Sequence, residues 1–280
     1  MVHKTEPESL DEESGQGGTD RSGYYIAAIG RALAVLDTFS PQRPELTLRD
    51  MAEAAKVSQP SALRIGYTLV QAGYLVKNPL TKGYRLGPKA ISVGMATLNS
   101  LTLPELAEPY LIDLRNRTQE TVKLAIHHGP TVVFVSRVPS LLHPPGAHYV
   151  GSSLPIHASG LGRAILAHLP EETALQLIEK SAEARLTAKT PTKAQARREL
   201  AQIRKRGYAI NDQSTTVENR AVAAPLLDAT GVPAGAINLS MSAQRITMAD
   251  MEKRMAPLVM ETAQAISAVL PPHVQGAGWS

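Results

Sequence analysis

Between Tyr25 and Leu86 the spacing of apolar residues and chain breakers leaves room for little except three short helices and a tight hairpin. Ile26, Ile29, Leu33, Leu36 and Phe39 recur at three- and four-residue steps, one face of a helix, and Ser40, Pro41 and Pro44 end it. Thr47 stands three residues before Asp50, a shortened capping box, and opens a second helix through Ala55. After a turn at Lys56-Val57, Ser58 is placed to cap a third helix, with Pro60 tolerated in its first turn and Ala62, Ile65 and Leu69 inward. Gly73 stops that helix. Tyr74-Leu75-Val76 and Tyr84-Arg85-Leu86 then read as strands around a turn at Asn78 to Gly83. Three helices and a hairpin in this order make a winged helix-turn-helix over residues 24–88.

Charge supports that reading of the segment. Residues 1–23 carry two basic and six acidic side chains and are read as a disordered acidic tail. Residues 24–99 carry nine basic and four acidic side chains, so the positive surplus is densest where a nucleic acid would be met. The absence of cysteine excludes disulfides, thiolate metal sites, iron–sulfur clusters and cysteine nucleophiles. No apolar run is long enough to cross a bilayer, and residues 1–20 lack the apolar core of a secretory signal, so a cytoplasmic protein with no membrane partner is expected.

Beyond Gly87-Pro88, residues 89–103 read as a linker helix, centred on Ala90 to Leu98. An α+β pattern fills residues 104–272, and residues 273–280 are expected to be a flexible terminus. The pattern begins with an amphipathic helix from Leu103. A hairpin follows, Val122–Ile126 and Thr131–Arg137 around His128-Gly129-Pro130, and residues 139–151 form a loop. Helices are expected at 160–169, 171–179 and 193–206, and strands at 208–210, 221–226 and 233–240. A closing helix over 248–270 is interrupted near Pro257.

On the third helix the outward residues are Gln59, Ser61, Arg64 and Tyr67, with Ser58 at its start. In a major groove Gln suits adenine edges, Arg suits guanine or phosphate, and hydroxyls reach backbone oxygens. Lys77, Lys82 and Arg85 on the hairpin suit flanking phosphates. A winged helix also serves as a protein-contact module, so a sensory or scaffolding role is the alternative. Gly66 within the third helix admits a close backbone approach or a bend.

The stretch RALAVLDTFSPQRPELTLRDMAEAAKVSQPSALRIGYTLVQAGYLVKN, with KGYRLGPKAISVG after it, resembles the amino-terminal domain of the IclR family of bacterial transcriptional regulators. LPIHASGLGRAILAHLP and GYAI…RAVAAPLLDATGVPAGAINLS extend the resemblance over about residues 24–270, and FSPQRPELTL looks most like the branch controlling aromatic-acid catabolism through the β-ketoadipate pathway. The resemblance implies a homodimer, or a dimer of dimers, on an inverted-repeat operator in double-stranded DNA. It also implies a GAF-like carboxy-terminal domain binding a small effector. Arg64 matches the common recognition-helix arginine, whereas Gln59, Pro60 and Gly66 depart from the usual residues.

The segment Leu154-Pro155 to Arg163 matches the family region where a helix begins beside the ligand. Ser159 and Gly160 there can seat a carboxylate on helix amides, with His157 at the border, and Ser159 can equally be a helix cap. Asp212 is retained after GYA, while Gln213, Ser214 and Glu218 depart from the family pattern. Asn238 and Ser240 are candidate inward polar groups of the last strand, as is His127 of the hairpin. Thr118, Leu124 and the loop Gly146–Tyr149 are expected to close the cavity. The expected effector is a small organic acid, with aromatic acids, aliphatic dicarboxylates and keto acids all open. Six of eight histidines fall between His127 and His168, but no HExxH spacing, dinucleotide glycine fingerprint or G-x-S-x-G elbow accompanies them. No cofactor, metal or catalytic residue is expected.

Overall fold

The computed structural model describes residues 24–142, 148–272 and 274. The acidic tail, His143, Gly146 and most of the carboxy-terminal segment lie outside the described residues. The chain divides into two compact units between Val93 and Gly94.

The first unit contains α1 (Ala27–Leu36), α2 (Leu48–Ala55), α3 (Gln59–Gln71), β1 (Leu75–Lys77) and β2 (Tyr84–Leu86). Local chemistry sets most of these boundaries. Asp50 N–H donates to Thr47 Oγ1 while Thr47 N–H donates to Asp50 Oδ2, a complete capping box for α2. Lys56 ends that helix in the left-handed region at φ 51°. Ser58 is the N-cap residue of α3, but its hydroxyl donates to Ser61 Oγ at 3.1 Å instead of accepting a helix amide. Pro60 in the first turn removes one of the two amides such a cap uses.

Strands β1 and β2 pair antiparallel with Val76 opposite Arg85, and Leu46 adds a bridge to Tyr84 on the far side. Val35, Leu46, Met51, Ala62, Leu69, Leu75 and Tyr84 form the core. Gly66 belongs to this core rather than to an outer face: a Cβ there would lie 2.9 Å from Met51 Cε and 3.2 Å from Tyr84 Cε1. The glycine thus allows α3 to pack closely on α2 and the wing. The apolar stripe of α1 differs from a core face, because Ile26, Ile29 and Leu33 are all more than half exposed and the fully buried residue of α1 is Val35.

Helix α4 (Pro88–Asn99) spans the division between the units, and every residue along it is at least partly exposed. The second unit continues with α5 (Thr102–Thr118), β3 (Thr121–His128), β4 (Thr131–Val138), β5 (Ser153–Pro155) and α6 (Gly160–Leu166). It then adds α7 (Glu171–Lys180), α8 (Lys193–Arg206), β6 (Ala209–Asp212), β7 (Asn219–Leu227) and β8 (Pro233–Ser242). The last segment is α9 (Met248–Asp250), a π-helical turn Met251–Met255 and α10 (Ala256–Ser267). The widened turn lies just ahead of Pro257, whose missing N–H interrupts the helical ladder.

The six strands form one antiparallel sheet in the order β5-β4-β3-β8-β7-β6. Each face is covered. Val122, Leu124, Ile126, Ile237 and Leu239 pack with Leu111 and Leu114 of α5 and Val259 and Ile266 of α10. Ala125, Phe134, Ala223 and Ala236 pack with Leu161 and Ile165 of α6, Ile178 of α7 and Ile203 of α8. A strand buried on both sides has no solvent face to receive polar residues, so any polar side chain inside it must find a partner or a cavity.

Candidate functional site

In the first unit, Ser58, Gln59, Ser61, Arg64 and Tyr67 are all exposed. Arg64 points away from the side of α3 that carries Ala62, Gly66 and Leu69, so it occupies the centre of the outer face. Leu63, 47% exposed, stands between Gln59 and Tyr67 at four-residue steps, and periodicity alone did not single it out. Lys77 and Lys82 are exposed on the wing, with the Lys77 ammonium 5.4 Å from the Tyr84 ring centre. Arg85 has a structural engagement as well: its Nε donates to Glu45 Oε2 at 2.6 Å. Glu45 also accepts from Thr81 and Asn78, and these bonds, Thr81 first and then Arg85, hold its carboxyl below the usual range. Arg85 therefore braces the wing.

In the second unit the strand register sorts the remaining residues by face. Lys123 of β3 lies between Arg137 of β4 and Asn238 of β8, and the next row toward the sheet end contains Thr121, Ser240 and Ala221. Asn211 extends that second row on β6. These side chains share the sheet face covered by α6 and α8. Residues at the end of the face line a cavity of about 500 Å³ that includes Thr121, Lys123, His148, Asn219 and Ser240. Ser240 Oγ donates to Asn219 Oδ1 at 2.6 Å. Asn238 is 9% exposed, and its Oδ1 finds no hydrogen-bond partner among the described residues.

One lining residue, His148, is backed by an aromatic ring. Phe134 and His148 stack with centroids 5.4 Å apart at 7°, and Lys123 Nζ lies 5.7 Å from the Phe134 ring. Arg137 sits 5.0 Å over the Tyr149 ring. Burial, then the Arg137 charge, lowers the Lys123 ammonium to about 8. Burial, then Lys123 and Arg137, lowers His148 to about 4, so His148 is neutral at pH 7. Glu120 at the mouth is engaged by Arg245 at 3.0 Å. The lining is thus largely polar, with Lys123 and Arg245 as its cations, Glu120 and Glu218 as its carboxylates and the neutral His148 ring among them.

The expected effector residues divide. Asn238 and Ser240 are on the cavity face, and Tyr149 stands near it over Arg137. His127 shares the face but lies farther along it beside Val132, where burial, partly offset by a hydrogen bond with the Gly129 backbone, lowers its pKa. Leu124 faces the opposite core with Ile237, because successive residues of a strand alternate sides. Asp212 pairs in register with Arg220, which itself pairs with Met241 of that opposite core. Its carboxylate accepts from Arg220 Nε and Lys189 Nζ, each at 2.7 Å. Burial raises the Asp212 pKa, but those two bonds outweigh it and leave the carboxyl below its ordinary value. Thr118 closes α5, with Oγ1 donating to the Leu114 carbonyl at 2.7 Å.

His157, Ser159 and Gly160 are buried at the start of α6 and are packed there. His157 Nδ1 lies 2.8 Å from Ser181 Oγ, and a Cβ on Gly160 would sit 3.3 Å from Asn211 Cβ. No helix amide among the described residues donates to the Ser159 hydroxyl. Arg163 of the same motif is 2% exposed and donates to the carbonyls of His157, Ala158 and Ile210, with Nε 2.9 Å from Glu199 Oε2 as an ionic contact. Lys123 lines the cavity instead, with Arg137 opposite it in register and Phe134 behind His148. Lys123 had a signal in the sequence, since it is a charged residue between Val122 and Leu124 in a strand of otherwise apolar character.

Among the described residues no three His, Asp or Glu side chains cluster as metal ligands, and no helix is long and apolar enough to cross a membrane. Residues 28–79 match the IclR helix-turn-helix domain, and residues 95–268 match the carboxy-terminal domain of the bacterial transcriptional regulator IclR. The chain is 32% identical over 265 residues to the HTH-type transcriptional regulator BhcR of Paracoccus denitrificans, covering 92% of each protein. It is 28% identical to the p-hydroxybenzoate hydroxylase transcriptional activator of Acinetobacter baylyi, over 88% of this chain and 92% of that one. The crystal structure of Thermotoga maritima IclR superimposes with a TM-score of 0.67 at 26% identity, covering 88% of this chain and 99% of that one. These relatives regulate transcription and are not enzymes, and a winged helix confined to protein contacts is not favoured. The matched domains lie in the order of the two units, and together they show that this chain belongs to the IclR family of bacterial transcriptional regulators.

Proposed function

We propose that the protein regulates transcription in response to a small aromatic carboxylate held in the cavity of the second unit. The observation that carries this reading is the buried Lys123 in one row with Arg137 and Asn238, next to the Phe134–His148 stack. A carboxylate beside Lys123 relieves the charge penalty that burial and Arg137 impose on it, and the ring lies against the neutral His148, itself backed by Phe134. Asn238 then offers Oδ1 to a hydroxyl or amine of the ligand. The p-hydroxybenzoate hydroxylase transcriptional activator of Acinetobacter baylyi, similar over most of both chains, supports an aromatic acid.

In the first unit, Gln59, Leu63, Arg64 and Tyr67 read a major groove, with Leu63 suited to a thymine methyl and Arg64 to guanine or phosphate. A cavity of about 960 Å³ lined by Ile29, Leu33, Leu86 and Val93 exposes apolar surface along α1 and the start of α4. That surface supports self-association, and a pair of copies reads an inverted repeat.

The test is binding of the purified protein to duplexes it selects from a random pool, against scrambled duplexes, with benzoate, 4-hydroxybenzoate and succinate titrated in. Operator affinity that shifts with the aromatic acids and not with succinate is expected, and reciprocal coupling requires tighter or weaker ligand binding on the duplex by the same factor. Operator affinity unchanged by either aromatic acid overturns the effector assignment.

A further inference from the structure

The wing ends in an apolar point. Leu80 is 89% exposed, next to Pro79, at the apex of a turn whose remaining side chains, Asn78, Thr81 and Lys82, are polar. A single exposed leucine is ordinary on a protein surface. This one sits on a turn held far more firmly than a solvent loop requires. Asn78 N–H donates to the Gly83 carbonyl at 2.8 Å, and Lys82 N–H donates to the Asn78 carbonyl at 3.0 Å. Asn78 Oδ1 accepts from the amides of Leu80 at 3.0 Å and Thr81 at 3.4 Å. From below, Glu45 holds the Thr81 hydroxyl, Arg85 Nε and Asn78 Nδ2. Gly83 is required for this fit, since a Cβ there would collide with the Glu45 carboxylate. The apex is fixed before anything binds, so little order is lost when it is covered.

Charge indicates what covers it. Lys77 and Lys82 flank the tip, and the acid beneath them is tied to Arg85, so the approach to Leu80 is cationic. With α3 in a major groove, the wing beside it reaches the neighbouring minor groove, where apolar side chains can part stacked base pairs.

We propose that the Pro79–Leu80 apex is an apolar wedge for the minor groove, with Leu80 entering a base step and bending the duplex. The inference rests on the chain binding DNA through its winged helix. It places the wedge at a deformable pyrimidine–purine step flanking the major-groove contacts, so the sequence preference there comes from the ease of bending rather than from base-edge hydrogen bonds.

The experiment uses the full chain and duplexes that it selects from a random pool, labelled at both ends so that energy transfer reports the bend. Wild type is expected to shorten the end-to-end distance. Leu80→Ser is expected to bind about tenfold more weakly, as loss of one buried leucine contact implies, and to leave the duplex nearly straight with the salt dependence unchanged. Leu80→Met keeps both affinity and bend. Thermal unfolding of Leu80→Ser like that of wild type shows that the exposed substitution has not altered the fold. A Leu80→Ser protein that binds and bends as wild type does overturns the wedge, as does one that loses self-association instead. Arg64→Ala separates the underlying reading: if the pool yields no selected site, or Arg64→Ala binds it undiminished, the groove assignment fails rather than the role of Leu80 alone.

Discussion

Replacing Lys123 with methionine is expected to make the unliganded protein more stable and abolish its affinity for benzoate. The magnitude follows from the ammonium pKa. Its ordinary value is 10.5 and its value in the fold is about 8, set first by burial and then by Arg137. A displacement of that size corresponds to about 3 kcal/mol against the charged amine at neutral pH. Between about pH 8 and 10.5 the unfolded chain binds more protons at this position than the folded one, so wild-type stability rises with pH across that window. Below about pH 8 the full penalty is present. Methionine removes it at nearly constant length, so the variant is expected to gain up to about 3 kcal/mol at pH 7, less whatever contacts the amine makes, and to lose the alkaline rise. A bound carboxylate acts in the opposite direction, raising the ammonium pKa. Benzoate affinity is therefore expected to be flat below about pH 8 and to fall by up to tenfold per unit above it, with proton uptake on binding near the midpoint. Benzoate is the suitable probe because it has no phenol to titrate in the same range. Calorimetric titration in buffers of different ionisation enthalpy measures both affinity and proton uptake, and chemical denaturation measures stability. Equal benzoate affinity at about pH 7 and about pH 9.5, or undiminished binding by Lys123→Met, refutes the placement of the carboxylate beside Lys123.

Three other substitutions probe separate parts of the structure. Arg64→Ala, on the exposed centre of α3, is expected to lower affinity for a selected duplex by about tenfold to a hundredfold without changing thermal unfolding, as fluorescence anisotropy and calorimetry would show. Gly162→Ala places a Cβ on the backbone carbonyl of Ile156, which no side-chain rotation relieves, and is expected to cost about 1–3 kcal/mol or more in denaturant titration. Asp212→Asn is expected to leave benzoate affinity unchanged, because Asp212 lies across the sheet from Lys123. Its lowered pKa makes the wild-type carboxylate stabilising above its unfolded value, with that contribution lost as pH falls through the folded value, so the variant should show a smaller acid-induced loss of stability.

Much of the first unit was legible because its punctuation is local. Thr47 with Asp50, Pro60, Gly73 and Asn78 act within a few residues of themselves, and no distant contact is needed to locate the elements they bound. What covers a helix is a different question. The stripe Ile26, Ile29 and Leu33 has the period of a core face and is nevertheless exposed, since periodicity identifies a side of a helix and not its neighbour. The second unit shows the same limit at the scale of one residue. The register puts Asn238 and Ser240 on a common face, whereas Leu124 and Asp212 lie on the other face, one position from Lys123 and Asn211. In a strand, an error of one is a complete reversal of direction. A break in register between Leu124 and Ala125 further obscures the pattern, bringing Phe134 opposite Ala125 although Ser136 is opposite Leu124.

The motif Ser159-Gly160-Leu161-Gly162-Arg163 has a structural role that its sequence does not announce. Gly160 allows α6 to lie against Asn211, and Gly162 allows it to cross the Ile156 carbonyl. Arg163 joins the loop before α6 to Ile210 of β6 and, through Glu199, to α8. Glu199 also receives Arg206 at 2.9 Å, so a buried charge and its partners tie three elements together. Removing one member would leave an uncompensated ion in the core, which makes the arrangement hard to alter piecemeal. Its consequence for the cavity is positional. Asn211, pressed beneath Gly160, lies in the row that continues through Ala221 to Ser240 and Thr121, next to the row of Lys123 and Asn238. The glycines and the arginine fix where β6 joins the sheet, while Thr121 and Lys123 of β3 and Ser240 of β8 line the cavity proposed above for the effector.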